Sequence, residues 1–325
     1  MNNKYLVTCV PGAEGIVSDE LLEMDENIKI IKISRGRVTF NFNQRSENLK
    51  SLRSVDNIYS IFDHFSIGPY KKDLLDFSKK ISQLDFSGKR IIVSAAIKGN
   101  HTYSRFDLSK AAEKVFTSNH SVLGTPDQHD LAIRIDVENG QCSICQQLTS
   151  AQFRFRGLFN SVKGGIRPSV AHCLVRLSCP FSNEIFYDPF CGGGTIAIER
   201  MFYPYKKVFA SDINEQVLKK AQANWKKDLI LFQADATNTH MKKSSIDTVV
   251  TNMPWGKQIS YDVSLYYRFF KELNRILKPN GKAIILTDQY KSLYNACLMT
   301  GFSSIVKAEL SLHGLHPKVF EIKRR

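Results

Sequence analysis

The stretch from Glu184 to Met201, Glu-Ile-Phe-Tyr-Asp-Pro-Phe-Cys-Gly-Gly-Gly-Thr-Ile-Ala-Ile-Glu-Arg-Met, limits the fold of this chain more than any other. Glu184-Ile185-Phe186-Tyr187 reads as a strand. Ile196 to Met201 has helical spacing. Between them Gly192, Gly193 and Gly194 remove Cβ atoms where backbone must come close to a ligand, and the helix start offers unpaired N–H groups. Strand, glycine loop and helix in that order open an α/β sheet that binds ligands at the carboxyl ends of its strands. Taken alone, the pattern also describes a structural turn. It lacks the Gly-x-Gly-x-x-Gly spacing of a dinucleotide site, because Thr195-Ile196-Ala197 follows the glycines.

The next strand ends add to the constraint. Val208 to Ser211 reads as a strand ending at Asp212, where a carboxylate can accept both hydroxyls of a ribose. Leu229 to Gln233 ends at Ala234-Asp235-Ala236, and a carboxylate there can accept from an adenine amine. Ile246 to Val250 ends at Thr251-Asn252-Met253-Pro254-Trp255-Gly256. An amide oxygen, a backbone carbonyl and an aromatic face at a strand end can hold a planar base by its exocyclic amine. The amine lone pair is delocalised, so two acceptors would act by orienting it. By itself this segment also reads as a turn built on Pro254 and Gly256.

Asp188-Pro189-Phe190-Cys191-Gly192-Gly193-Gly194-Thr195 together with Asn252-Met253-Pro254-Trp255 resembles the class I, S-adenosylmethionine-dependent amino-methyltransferases. More narrowly, it resembles the THUMP-domain tRNA guanine-N2 methyltransferases. Gly193 stands where those usually carry Ser, at a position that contributes backbone. Met253 and Trp255 depart from the common Asn-Pro-Pro-Tyr form. A non-proline second residue with a retained aromatic resembles the subset acting on the tRNA acceptor stem.

The resemblance implies a Rossmann-like domain with a seven-stranded, mostly parallel sheet, preceded by an α+β ferredoxin-like and THUMP RNA-binding region. It implies Asn252 and the Met253 carbonyl as amine acceptors in a catalytic motif that includes Pro254, with Trp255 as stacking platform. Asp188, Pro189, Phe190, Cys191, Gly192, Gly194 and Thr195 would surround the methionine part of the cofactor, with Arg167, Pro168 and Ser169 nearby. Asp212 and Ile213 would meet its ribose, Asp235 and Ala236 its adenine, and Asn252 would border it. The implied reaction moves a methyl group from S-adenosylmethionine to N2 of a guanosine in tRNA, at position 6 of the acceptor stem. The alternatives are an rRNA guanine-N2 or a nucleic-acid adenine-N6 methyltransferase, since both purines present an amine. A nicotinamide oxidoreductase would leave Asn252 to Trp255 unexplained. An inactive RNA-binding scaffold is opposed by intact Asp188, Asp212, Asp235 and Asn252.

The 325 residues suggest two or three domains. The expected division is 1–65 ferredoxin-like, 66–150 THUMP, 151–164 linker and 165–325 methyltransferase. In the front half, strands are expected at Tyr5 to Val10, Arg90 to Ala96, Leu131 to Val137 and Gln141 to Leu148. A hairpin is expected around Arg35-Gly36. Helices are expected at Ala13 to Met24, Ser46 to Ser54, Lys71 to Leu84 and Leu108 to Ser118. Farther on, Ser264 to Leu277 reads as a helix stopped by Lys278-Pro279-Asn280-Gly281, followed by a strand from Lys282 to Thr287. A closing hairpin spans Ser303 to Leu312 and Lys318 to Lys323.

A net charge of +14 suits a polyanion. The residues singled out for RNA are Lys98, His101, Tyr103 and Arg105 in one loop, Arg154 and Arg156 in the joining segment, and Lys257 after the Trp motif. Phosphate contacts from Lys98 and Arg105 would be independent of sequence and sensitive to salt. The implied partner is the acceptor stem and 3′ end of tRNA, met by a monomeric cytoplasmic enzyme with no metal. His172, on a helix flank, reads as structural. Seven scattered cysteines argue against a disulfide framework, and Cys142 and Cys145 should point to opposite faces of a strand. No apolar run approaches the ~20 residues needed to span a bilayer.

Overall fold

The computed structural model describes residues 3–158, 162, 164–224, 228–255, 264–312 and 314–325. The front half runs β1 (Lys4–Thr8), α1 (Glu14–Met24), β2 (Lys29–Ser34), β3 (Arg37–Asn41), β4 (Asn57–Ser66), α2 (Leu74–Ile81), β5 (Arg90–Lys98), α3 (Arg105–Ser118), β6 (Val122–Leu123), β7 (Leu131–Glu138) and β8 (Gln141–Gln147). Its strands form one sheet in the order β2-β3-β1-β4-β8-β7-β5-β6. The expected division at residue 65 falls near the end of β4, which is bonded to β1 on one side and β8 on the other. A single sheet therefore runs through both front segments.

Three expectations are corrected here. β4 was not anticipated: a bulge between Ile61 and Asp63 breaks the period-2 alternation that marks a strand. The expected helix from Ser46 is only a 3₁₀ turn, Ser46–Ser51. The one from Lys71 begins as a 3₁₀ turn, Lys71–Asp73, and becomes α-helical at Leu74. Cys142 packs with Phe77, Leu108 and Ile133, whereas Cys145 packs with Leu6, Tyr59 and Ile61, so the two sulfurs serve different clusters.

The second half runs α4 (Pro168–Leu177), β9 (Ile185–Asp188), α5 (Thr195–Arg200), β10 (Lys207–Asp212), α6 (Glu215–Asn224), β11 (Leu229–Gln233), β12 (Ile246–Asn252), α7 (Leu265–Ile276), β13 (Leu277–Thr287), α8 (Tyr290–Thr300), β14 (Phe302–Glu309) and β15 (Lys318–Arg324). The sheet order is β11-β10-β9-β12-β13-β15-β14. The first five strands are parallel, and β15 is antiparallel to both of its neighbours. This is the seven-stranded, mostly parallel sheet of the class I methyltransferase fold. Lys278 to Gly281, expected as a helix stop, lies within β13 across a register shift. Successive residues of β12 and β13 face opposite ways. Val250 and Ile284 pack with α4 and α5, while Val249 and Ile285 pack with Phe269, Phe270 and Leu293 of α7 and α8.

The chain travels outward from β9 to β11 and then returns to β12 on the other side of β9. Open α/β sheets bind ligands at such a reversal. Asp188 ends β9 and Asn252 ends β12. Among the described residues no helix is long and apolar enough to cross a membrane.

Charged groups join the halves. The Arg53 guanidinium donates to Glu199 Oε2 and Oε1 at 2.7 and 2.8 Å. His172 Nδ1 lies 3.0 Å from Glu199, and its Nε2 lies 3.0 Å from the Tyr203 hydroxyl and 3.5 Å from Glu20. Glu20 also accepts from the backbone N–H groups of Arg53 and Ser54. Burial raises the pKa of Glu20, but His172 and those N–H groups outweigh it and hold the group down at about 2. Glu199 is likewise buried, yet Arg53 and His172 lower it. Burial lowers His172, and its bonds to Glu199 and Glu20 more than reverse this.

The sign of the pH dependence follows from these shifts. His172 is raised in the folded state, so its contribution is complete below about pH 6.5 and is lost as pH climbs through the folded value. The two glutamates are lowered, so theirs is complete above about pH 4.5 and is lost on acidification. The melting temperature should therefore fall above about pH 6.5. His172→Asn should flatten that alkaline limb in scanning calorimetry. An identical limb in the variant would show that the junction does not titrate through His172.

Candidate active site

Asp188 is fully buried. Its Oδ1 accepts from the Thr251 hydroxyl at 2.8 Å and the Phe190 N–H at 3.3 Å, while Oδ2 has no partner among the described residues. Burial dominates over these bonds and lifts the carboxyl to about 7. Thr251 adjoins Asn252, so the bond pins β9 to β12 just beneath the two strand ends.

After Asp188 the chain turns tightly. Gly192 and Gly194 have φ of +53° and +80°, a region that disfavours side chains. A Cβ on Gly194 would lie 3.2 Å from the Ala221 Cβ of α6. Asp212 fastens the loop: Oδ2 accepts from Gly192 N at 3.0 Å and Oδ1 from Asn214 N at 3.0 Å. Each oxygen keeps further lone pairs for a ligand.

A cavity of about 480 Å³ opens above these strand ends. Pro189, Phe190, Cys191, Gly192 and Thr195 form one wall. Asp212, Ile213, Asp235 and Ala236 form the next, and Asn252 and Pro254 close it near β12. Five residues expected at or near the cofactor stand outside this lining, among them Arg167, which borders a second cavity, and Ser169, which is buried and bonded to Asp56. Asp188 lies behind the loop, Gly194 packs on α6, and Pro168 is buried in the first turn of α4. Val162, Asn214, Val217 and Leu265 also line the cavity and were not expected. Asn214 and Val217 follow directly on Asp212, so the start of α6 was the available signal. Val162 and Leu265 carry none. Asp235 Oδ1 accepts from the N–H and hydroxyl of Thr237, both at 2.8 Å, which shapes the turn after β11.

A second cavity, about 290 Å³, shares Gly164, Gly165, Ile166 and Asn252 with the first. Trp255, Met253, Arg167, Val170, Leu312 and Leu315 complete it. Asn252 Oδ1 accepts from the Trp255 indole N–H at 2.6 Å, and its Nδ2 donates to the Gly164 carbonyl at 3.4 Å. Both ends of the amide are thereby oriented. Met253 borders this cavity but is fully buried, with its side chain packed in the core. The Tyr266 hydroxyl donates to the Pro254 carbonyl at 3.4 Å and bonds Thr287 Oγ1 at 2.5 Å.

The residues expected at RNA are scattered. Arg105 and Arg154 are exposed, each guanidinium 4.8 Å from the ring of the following phenylalanine. Lys98 is half-exposed and donates to Glu138 at 2.8 Å. His101 is half-buried, its ring 5.1 Å from that of Tyr103. Tyr103 is a correction: it is buried in the front core, its hydroxyl donates to the Gly68 carbonyl at 3.0 Å, and burial lifts it to about 12. Arg156 is another. Its Nη2 donates to the carbonyls of Leu52 and Val55 at 2.8 and 2.9 Å, and its guanidinium sits 3.7 Å over Phe153. It holds the joining segment to the front half. Lys257 lies outside the described residues.

Residues 159–318 match the UPF0020 family, described as RMKL-like, methyltransferase domain. This half of the chain belongs to that family. The tRNA (guanine(6)-N2)-methyltransferase of Methanocaldococcus jannaschii is 23% identical over 97% of this chain and 98% of that protein. The crystal structure of TrmN from Thermus thermophilus superposes with a TM-score of 0.83 at 21% identity, covering 99% of both chains. The crystal structure of SMU.472 complexed with SAH has a TM-score of 0.80 at 16% identity over 99% of this chain and 98% of that one.

The methyltransferase uses S-adenosylmethionine, and the first cavity fits that group. Its volume lies in the ordinary range for a small-molecule site. Its loop is bare of Cβ atoms at Gly192, and Asp212 presents lone pairs at the second strand end. Asp212→Ala removes both that acceptor and the anchor of Gly192. The cofactor dissociation constant should rise about 10- to 100-fold, measured by calorimetry; an unchanged constant would reject the contact.

Proposed function

We propose that this methyltransferase modifies the exocyclic N2 of a guanosine in tRNA, at position 6 of the acceptor stem. The observation that carries the reading is the place of Asn252, which borders both cavities. The first cavity takes the cofactor, which supplies a methyl group on a sulfonium. The second takes the target base. Asn252 Oδ1 accepts one hydrogen of the base amine, and the Met253 carbonyl accepts the other. Trp255 fixes the Asn252 amide through its indole N–H and offers its ring to the base. With both hydrogens engaged, the lone pair is aimed across the shared wall. The amine proton passes to solvent after transfer, so no side-chain base is required. A relative from Methanocaldococcus jannaschii that aligns over nearly the whole chain carries this activity in its name.

Residues 66–150 serve as the THUMP region that holds the RNA, in a monomeric cytoplasmic enzyme. Within that region Lys98 and Arg105 are the phosphate contacts. Replacing both by Glu should raise the RNA KM at least tenfold and flatten its dependence on salt. If neither moves, the RNA runs elsewhere. The activity itself is tested by mass spectrometry of nucleosides from unmodified tRNA incubated with the protein and labelled S-adenosylmethionine. Label in N2-methylguanosine is expected. Label confined to rRNA or to methyladenosine would overturn the reading.

A further inference from the structure

Both guanine and adenine present an amine, so the Asn252 motif alone does not choose between them. The second cavity contains a group that can. Val170, Trp255, Leu312 and Leu315 make it largely apolar, and Arg167 is the one charged residue in its lining among the described residues. The Arg167 Nη1 donates to Asp56 Oδ2 at 2.6 Å. Asp56 Oδ1 in turn accepts from the Ser169 hydroxyl at 2.6 Å, and the Asp56 N–H donates to the Thr8 carbonyl at 2.7 Å. Asp56 is therefore held by both halves, its backbone by the front half and its carboxylate by the second. The Arg167 Nε is buried and has no partner among the described residues. The side chain is about one-third exposed, so the rest of the guanidinium is what a ligand in the cavity can meet.

Guanine carries acceptors at O6 and N7 on the edge away from its N2 amine, and a guanidinium is well matched to that pair. Adenine replaces O6 with an amine, which would set donor against donor. We propose that Arg167 is the specificity residue of the base cavity, reading the O6 edge of the target guanine, with Asp56 as its positioning residue. This rests on the guanine-N2 reading above and adds the means by which adenine is refused. It also makes base selection depend on the front half, because Asp56 belongs to the segment between the 3₁₀ turn and β4.

The test uses tRNA carrying either guanine or 2-aminopurine at the target position. 2-Aminopurine keeps the N2 amine and lacks O6. The quantity read is the ratio of kcat/KM for guanine to that for 2-aminopurine, measured within one preparation, so partial loss of folded protein cancels. The ratio should fall about 10- to 100-fold from wild type to Arg167→Met, the range of a bidentate base contact. Arg167→Lys, which keeps the charge beside Asp56 but not the planar edge, should lose most of it as well. Asp56→Asn should give an intermediate ratio. A ratio that stays within twofold of wild type in both Arg167 variants would overturn the assignment. Failure of the wild type to methylate the guanine substrate would instead remove the guanine-N2 reading, a distinct result.

Discussion

Asn252→Ala is expected to lower kcat by about 10²- to 10³-fold, the usual effect of removing one preorganised hydrogen-bonding group from a reacting centre. The cofactor dissociation constant should change by no more than a few-fold. Asn252 is one small part of a cavity whose other contacts come from the glycine loop, Asp212 and Asp235. Single-turnover kinetics alongside calorimetry separate the two quantities. Trp255→Phe is the informative companion. It retains an aromatic ring but deletes the N–H that holds Asn252 Oδ1 at 2.6 Å. A loss of about tenfold, the worth of one ordinary hydrogen bond, would assign Trp255 an orienting part. Full activity would leave it only its ring. Wild-type turnover in Asn252→Ala would remove the amide from the mechanism.

Arg200→Met is expected to destabilise the second half by about 3–5 kcal/mol, because it strands a buried carboxylate. Arg200 and Glu184 are both fully buried, and Nε donates to Glu184 Oε2 at 2.6 Å. The other guanidinium nitrogens donate to the carbonyls of Tyr203, Phe181 and Pro204. Glu184 also accepts from the Thr248 hydroxyl at 2.5 Å. The pair sits immediately before β9 and at the end of α5, clamping from below the two elements that flank the glycine loop. Urea unfolding measures the cost. Adding Glu184→Gln should recover part of it, since the stranded charge is then gone. A midpoint for Arg200→Met equal to wild type would mean that water reaches Glu184.

The second half is legible in the sequence because β9, β10, β11 and β12 are short, largely apolar runs that are parallel and so bring their carboxyl ends to one edge of the sheet. Asp212, Asp235 and Asn252 follow such runs directly, and no long-range information is needed to place them together. The front half is less legible. The bulge in β4 hides its period, and a capping turn at Ser46 has the composition of a helix without its length. The RNA residues fail for a related reason. Tyr103 and Arg156 look like surface groups in a basic, aromatic stretch, yet one is absorbed by the front core and the other by three carbonyls of the 52–55 segment. Charged pairs between distant segments leave no local mark at all. Nothing near Arg53 in the sequence announces Glu199, and nothing near Asp56 announces Arg167.

The junction built from Glu20, Arg53, His172 and Glu199 bears on how such a chain can be altered. Two of these groups come from each half, and each carboxylate is held down by a cation or hydrogen-bond donor from the other side. A graft that joins this front half to the second half of a distant relative would bring only two of the four. The orphaned charges would then lie at a face that no longer closes. The halves are thus a matched pair, and a graft should fold as well as the parent only where all four positions travel together or are neutralised together.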